Sequence, residues 1–328
     1  MEFLFDYLLF AAKLATFVAL IALPVISIVV ARNARRKPDA VDIEVRKLND
    51  SLLEKRLVLE AALLSPSEFK KRLKAVKSAR KARVRASVAD TAPRSFVVNF
   101  DGDMRASAVA SLREEITAIL AVARPSDELI VVLESGGGTM HGYGLAASQL
   151  RRVRDQGIRL CVVVDRIAAS GGYMMACVAD ELVAAPFAII GSIGVVAQLP
   201  NFNRLLKKHD IDFEEITAGE FKRTLTLFGE NTDRDREKFQ STIDDAHALF
   251  KDFIMTQRPG LALDRVATGE WWFAIRALEF GLVDRLATSD DVIGAAASER
   301  EVFRVHARRH RGLFARLAGD GLAYLRRF

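Results

Sequence analysis

The stretch that most limits what this chain can become is Val162-Val163-Val164-Asp165-Arg166-Ile167-Ala168-Ala169-Ser170-Gly171-Gly172-Tyr173-Met174-Met175-Ala176. Its β-branched run reads as a buried strand, which breaks at a charged pair and crosses a turn of small residues into a helical pattern rich in Ala and Met. Ser170 stands at the hand-over, where a helix presents unpaired N–H groups and the positive end of its dipole. The glycines behind it let another backbone approach closely. Two readings fit this stretch alone: Ser170 as a helix N-cap with turn glycines, or Ser170 as a nucleophile.

Charge patterning removes one broad class. The chain of 328 residues carries a formal +6, but Lys70–Arg85 holds nine Lys/Arg and no acid, which leaves −3 for all the rest. The basic balance therefore describes one segment, and the folded body offers no nucleic-acid footprint. Cys161 and Cys177 stand in apolar surroundings and read as small buried side chains, with neither a disulfide framework nor a metal site suggested. The five histidines show no metal-type spacing.

Leu14–Ala31 is an uninterrupted apolar run of 18 residues, extended by Leu8–Ala12 with Lys13 able to snorkel. Glu2 and Asp6 deny it the basic start of a cleaved signal peptide, so it reads as a retained transmembrane helix. Arg32, Arg35, Arg36 and Lys37 follow it, and the positive-inside rule then keeps the body on the cytoplasmic side. Val41–Leu64 is helical in pattern, with Val45, Leu48, Leu52, Leu59 and Leu63 forming one stripe. The basic run after Ser65-Pro66 reads as a solvated helix or linker beside anionic lipid. Ser67 to Lys70 matches a Ser-x-x-Lys spacing by chance, without companion motifs.

From Ser95 the texture is that of an α/β domain. Phe96–Phe100, Leu129–Leu133, Leu160–Val164, Leu182–Ala185 and Ile189–Val196 read as strands, and Ser107–Val122 and Met140–Arg154 as helices between them. The glycine run Glu134-Ser135-Gly136-Gly137-Gly138-Thr139 lies where a strand meets a helix, and its N–H groups can face a bound oxygen. It has neither Walker nor dinucleotide spacing, and a plain tight turn is the competing reading. A nucleophile at Ser170 needs a base, and the histidines serve poorly: His209 and His247 sit in polar helical runs, His306 and His310 in a basic tail, and His141 has little beyond proximity. A lysine serves where burial keeps its amine neutral, and Lys222, after a strand-like Phe213–Thr217 and a glycine turn, is best placed. An ordinary surface charge is the alternative at that position.

Four segments in order, Glu134-Ser135-Gly136-Gly137-Gly138, Ala169-Ser170-Gly171-Gly172-Tyr173, Gly191-Ser192-Ile193-Gly194-Val195 and Ala218-Gly219-Glu220-Phe221-Lys222-Arg223, closely resemble the bacterial signal peptide peptidase family, and within it the membrane-anchored SohB-type proteases. Asn201-Phe202-Asn203-Arg204 and Gly281-Leu282-Val283-Asp284 fit as well, so the resemblance runs from the anchor to about Val292. It implies a ClpP/crotonase-like spiral of ββα units and a Ser–Lys dyad hydrolysing peptide bonds without cofactor or metal. Carried over, Ser170 is the nucleophile, Lys222 the general base, and Ser192 orients the lysine. The N–H groups of Gly137 and Gly171 hold the oxyanion, with Gly136, Gly138 and Tyr173 touching substrate. The family loop usually has proline where Gly136 stands here, which loosens the loop but removes no donor.

The expected organisation is an anchor and basic flank over 1–37, a helical basic linker over 38–94, a protease domain over 95–292 and a basic amphipathic tail over 293–328. The resemblance also implies peptide substrates such as signal-peptide remnants, and a homo-oligomer with pockets shared between protomers. The expected location is the bacterial inner membrane; family habit places the body outside and the anchor's flanking charge places it inside. A crotonase-like membrane scaffold that binds peptides without cutting them is the alternative function, and non-peptide acyl hydrolysis a third. Arg234–Met255 and Trp271–Phe280 read as further helices.

Overall fold

The structure, a computed structural model, describes residues 41–86 and 92–309 together with Lys13, Thr16, Phe17 and Leu20. The expected membrane span and the tail beyond Arg309 thus fall outside the described residues, apart from those few positions. Among the described residues no helix is long and apolar enough to cross a membrane. The chain divides into two compact units, of which Val45–His306 holds nearly all the described structure. The other comprises Met1–Glu44 and Ala307–Phe328, and within it Arg308 Nε lies 3.2 Å from a Glu44 carboxylate oxygen.

The first elements are β1 (Val41–Lys47), α1 (Leu48–Leu63) and α2 (Pro66–Ala86). A continuous helix over Val41–Leu64 was the expectation, and the start differs. Val41, Ile43 and Val45 alternate with Asp42, Glu44 and Arg46, a period of two that suits a strand, and only from Leu48 does the helix begin. Leu48 is buried, whereas Leu52, Leu59 and Leu63 of the expected stripe are exposed.

The α/β body follows in alternation: β2 (Arg94–Gly102), α3 (Val109–Leu120), β3 (Glu128–Ser135), α4 (Met140–Asp155), β4 (Arg159–Val164), β5 (Ile167–Ala169), α5 (Gly171–Ala176), β6 (Glu181–Ala184) and β7 (Ile189–Gly191). After them come α6 (Asn203–Lys208), α7 (Asp233–Gln257), α8 (Leu263–Val266), β8 (Trp271–Phe273), α9 (Ala274–Glu279), β9 (Arg285–Leu286), α10 (Ser289–Glu299) and β10 (Glu301–Arg309). The main sheet runs β10-β2-β3-β4-β6-β9, with every one of these pairs parallel. Both its faces are covered, as the near-continuous apolar strands demand. Val98, Phe100, Val131, Leu133, Val162 and Val164 face one cluster. The alternate residues Val97, Ile130, Cys161 and Val163 face another, closed by Leu48 and Ile293. Each such valine, leucine or isoleucine contributes about 1.5–3 kcal/mol by leaving water.

A second, shorter tier branches from this sheet. Strand β3 pairs with β4 over Glu128–Val132, but its last residue Ser135 pairs instead with Ala168 of β5. The break at Asp165-Arg166 thus shifts the chain sideways, and β4-β5-α5 forms a ββα unit of the expected kind. Strand β5 pairs with β7, and β7 with the antiparallel β8.

Three expected elements differ. The strand expected over Ile189–Val196 ends at Gly191. Phe213–Thr217 forms no strand, because no neighbouring ladder takes its backbone groups. The helix expected over Trp271–Phe280 is β8 followed by the short α9, since Ile189 and Ile190 offer Phe273 and Trp272 a strand edge. The sheet also extends past residue 292: β10 pairs with β2 in the register Glu301↔Arg94 to Arg304↔Val97.

Cys161 and Cys177 are both buried, which pushes each thiol up to about 12. Neither is expected to react with iodoacetamide at pH 8 in the folded protein, while both react after denaturation. Mass spectrometry of the alkylated chain checks this, and fast native labelling of either would contradict the packing described.

Candidate active site

The register of two short strands brings two serines side by side. Ala169 of β5 is the partner of Gly191 of β7, so Ser170 and Ser192 leave adjacent parallel strands at equivalent positions, about 4.8 Å apart along the sheet. Both take positive φ, 51° in each case, which is costly for a residue with a Cβ. The neighbours hold them there: Ser170 N–H donates to Gly191 O at 2.8 Å, and Ser192 N–H to Glu270 O at 2.6 Å. Ser170 occupies the N-cap position of α5, but its side chain makes no capping bond. Its hydroxyl is thus left for other work, and the turn-punctuation reading does not account for the strain.

The glycine loop after β3 lies against this turn. A Cβ on Gly137 would stand 2.7 Å from Gly171 N and 2.8 Å from Ser170 Cβ, and its φ of 90° is one that L side chains rarely adopt. Together the loop and the two serines line a pocket of about 480 Å³, with Gly136, Gly137, Gly138, Ser170, Gly171 and Ser192 on its polar side. Met104, Met140, Met174, Val195, Val196 and Phe250 make the rest apolar. Sequence inspection missed these six, because an isolated Met or Phe reads the same whether it fills a core or a cleft.

One oxyanion assignment changes. The N–H of Gly137 donates to Ser135 Oγ at 3.0 Å and is not available to a ligand. The N–H groups of Gly138 and Gly171 have no acceptor among the described residues, and both residues line the pocket. Gly138 and Gly171 thus present N–H groups that a bound oxygen could take. Gly138 is also boxed in: a Cβ there would come within 2.1 Å of the backbone oxygen of Met104. That oxygen accepts Thr139 N–H at 2.9 Å, and its turn is fixed by Asp103, whose carboxylate takes Ser107 N–H and hydroxyl, both at 2.8 Å. Those bonds hold the Asp103 carboxyl below the usual carboxylate range. Gly138→Ala keeps the N–H but forces the loop away from the Met104 backbone, which moves that donor, so kcat is expected to fall by about 10²-fold, as for loss of one oxyanion donor. Circular dichroism and steady-state peptide hydrolysis check this; unchanged kcat would remove Gly138 from the site.

Tyr173 is a second correction. It is fully buried and its hydroxyl donates to Leu282 O at 3.2 Å, so it packs into the core from α5 and does not line the pocket. Burial pushes its phenol up. A long apolar side chain in a short helix is drawn to the core, and sequence spacing could not separate the two faces of six residues.

Lys222 stands outside this pocket: it is exposed, and its amine makes no hydrogen bond or ion pair among the described residues. It sits in a turn where its N–H donates to Gly219 O at 3.1 Å. The turn is fastened to α7: Glu220 pairs with Arg234, and Arg234 and Lys238 lie over the Phe221 ring at 5.6 and 5.2 Å. The segment is braced from its other side by Asn201, whose amide donates to Thr226 O at 2.9 Å, and by Asn203, which donates to Phe228 O at 2.8 Å. Of the described histidines, none lines the pocket.

Comparison with known proteins identifies the family. The family described as Peptidase family S49 N-terminal matches residues 2–150, and Peptidase family S49 matches residues 152–303. A Haemophilus influenzae protein named Probable protease SohB is 44% identical over 95% of this chain and 91% of its own length. A Buchnera aphidicola (subsp. Schlechtendalia chinensis) protein of the same name is 47% identical over 89% of this chain and 99% of its own. Among solved structures, the ClpP1 N165D mutant from Listeria monocytogenes is similar over 63% of this chain and 98% of that one, at 12% identity and a TM-score of 0.38. With two relatives matched over most of their length, this chain belongs to peptidase family S49, among its SohB-type proteases.

Proposed function

We propose that the chain is a serine endopeptidase working through a Ser170–Lys222 dyad. The observation that carries the nucleophile is the strained Ser170, free of any capping bond, which lines one pocket with two glycines whose N–H groups have no acceptor among the described residues. Ser170 Oγ attacks the scissile carbonyl and forms the C–O bond, while its proton passes to the neutral amine of Lys222. The oxyanion is received by Gly138 and Gly171 N–H. Collapse breaks the C–N bond, the lysine returns the proton to the leaving amine, and water then hydrolyses the acyl-enzyme by the same route. Ser192, beside the nucleophile, orients the amine through its hydroxyl.

Lys222 does not line the pocket of its own chain, and we assign the amine at Ser170 to a neighbouring copy of the chain. Supporting this, no residue from Gly194 to Leu249 is buried, and Val196 and Ile216 are 80% and 95% exposed. A second copy would cover that segment and desolvate the amine, which a general base requires. The apolar pocket suits hydrophobic side chains, in keeping with remnants of signal peptides as substrates. The sequence anchor Leu14–Ala31 and its basic flank support a single-pass inner-membrane position with the catalytic body on the cytoplasmic side.

The test uses the full chain extracted in detergent, a fluorogenic apolar peptide and a fluorophosphonate probe. Cleavage together with probe attached at Ser170 is expected. Peptide binding without cleavage or labelling would instead favour a scaffold, and labelling at a different serine would move the nucleophile.

A further inference from the structure

Tyr143, on the first turn of α4, is fully buried and touches both halves of the site. Its ring lies under the nucleophile's turn: a Cβ on Gly171 would stand 2.4 Å from Tyr143 Cγ and 2.6 Å from Cδ2. Its hydroxyl lies 2.8 Å from Asp103 O and 2.5 Å from Ser135 Oγ. A phenol has one proton, and a carbonyl can only accept, so Tyr143 donates to Asp103. The Ser135 proton then has two acceptors in reach, Tyr143 Oη at 2.5 Å and Gly102 O at 3.3 Å, and the shorter wins. Since Gly137 N–H donates to Ser135 Oγ, the result is a directed chain, Gly137 N–H to Ser135 to Tyr143 to Asp103 O. Each hydroxyl in it accepts once and donates once, the arrangement in which buried hydrogen bonds reinforce each other.

This chain ends on the residue before Met104, whose carbonyl takes Thr139 N–H just past the glycines. The loop is thus held at both ends, and its Gly137 N–H is turned inward while the next one, on Gly138, stays free. We propose that Ser135 and Tyr143 are positioning residues that set the oxyanion donors: the hydroxyl relay aims Gly138, and the tyrosine ring seats Gly171. Neither side chain lines the pocket, so neither touches substrate. A run of three glycines has many backbone conformations open to it, which such a clamp removes. The inference rests on Ser170 acting as nucleophile.

Tyr143→Phe keeps the ring and removes only the relay. It is expected to lower kcat by roughly ten- to a hundredfold, as for a donor misplaced by a fraction of an ångström to an ångström, with KM within about twofold. Affinity for a peptide boronate, which mimics the tetrahedral state, should fall in parallel with kcat. Ser135→Ala breaks the same relay and should behave alike, and the double variant should be no worse than the weaker single, because one chain is cut only once. Wild-type kcat in a folded Tyr143→Phe, or a loss confined to KM, overturns the inference. So does a double variant whose losses multiply. If Tyr143→Phe does not fold, Ser135→Ala carries the same kcat, KM and boronate measurements. A wild-type protein that fails to cleave the peptide, or a Ser170→Ala as active as wild type, overturns the nucleophile assignment and this inference with it, and is told apart by the control alone.

Discussion

Ser170→Ala is expected to lower peptide hydrolysis by about 10⁴-fold or more while leaving the fold intact, because the residues of a nucleophile–base unit fail together. Alanine removes only an oxygen that has no capping bond to lose. It does not relieve the positive φ, which is held by the Ser170 N–H to Gly191 O bond and by the Ala169↔Gly191 pairing. The melting temperature should therefore move little, and in the same preparation fluorophosphonate labelling should disappear. Residual cleavage within tenfold of wild type would mean that the reaction does not pass through this hydroxyl. The expected separation of activity from stability is what distinguishes a nucleophile from a structural serine at a strained turn.

Lys222→Ala should lose at least about 10³-fold, the upper part of what a positioned general base supplies. The side chain is exposed and has no partner among the described residues, so truncation should not destabilise the subunit. The sharper expectation concerns mixtures. If the amine comes from a neighbouring copy, combining inactive Ser170→Ala and Lys222→Ala chains by dissociation and reassembly creates some sites with both groups. Random pairing restores roughly a quarter of wild-type activity. No recovery, with subunit exchange verified, would place the lysine in the same chain as its serine, reached by movement of the 209–231 segment. Full activity of Lys222→Ala by itself would require a different base.

Much of the fold follows from local chemistry. The apolar strands β2, β3, β4 and β6, the helices α3, α4 and α7 and the buried state of both cysteines were all legible from period and composition, because a strand buried on both faces must be apolar throughout. The shortest strands were legible only in part. Ile189–Val196 reads as a strand longer than the β7 that forms, whereas β5, β8 and β9, of two or three residues, exist only where an edge is waiting, and Trp271–Phe280 shows a helical pattern overruled by such an edge. All of β1 was blurred into α1 for a related reason: seven residues in which apolar and charged side chains alternate blend into an amphipathic stripe when read with the helix that follows.

The site divides along the same line. The sequence alone determined that Ser170 would stand at a strand-to-helix turn and that a glycine run would follow a strand, since each is a matter of neighbouring residues. Only the tertiary structure decided which N–H groups are free, because Gly137 is claimed by a serine two residues back through a tyrosine on the next helix. It likewise decided that Tyr173 is core and that Lys222 faces solvent. Hydrogen-bond donors have one partner each and a side chain has one direction, and both are settled by what the rest of the chain brings alongside, which no reading of local pattern contains.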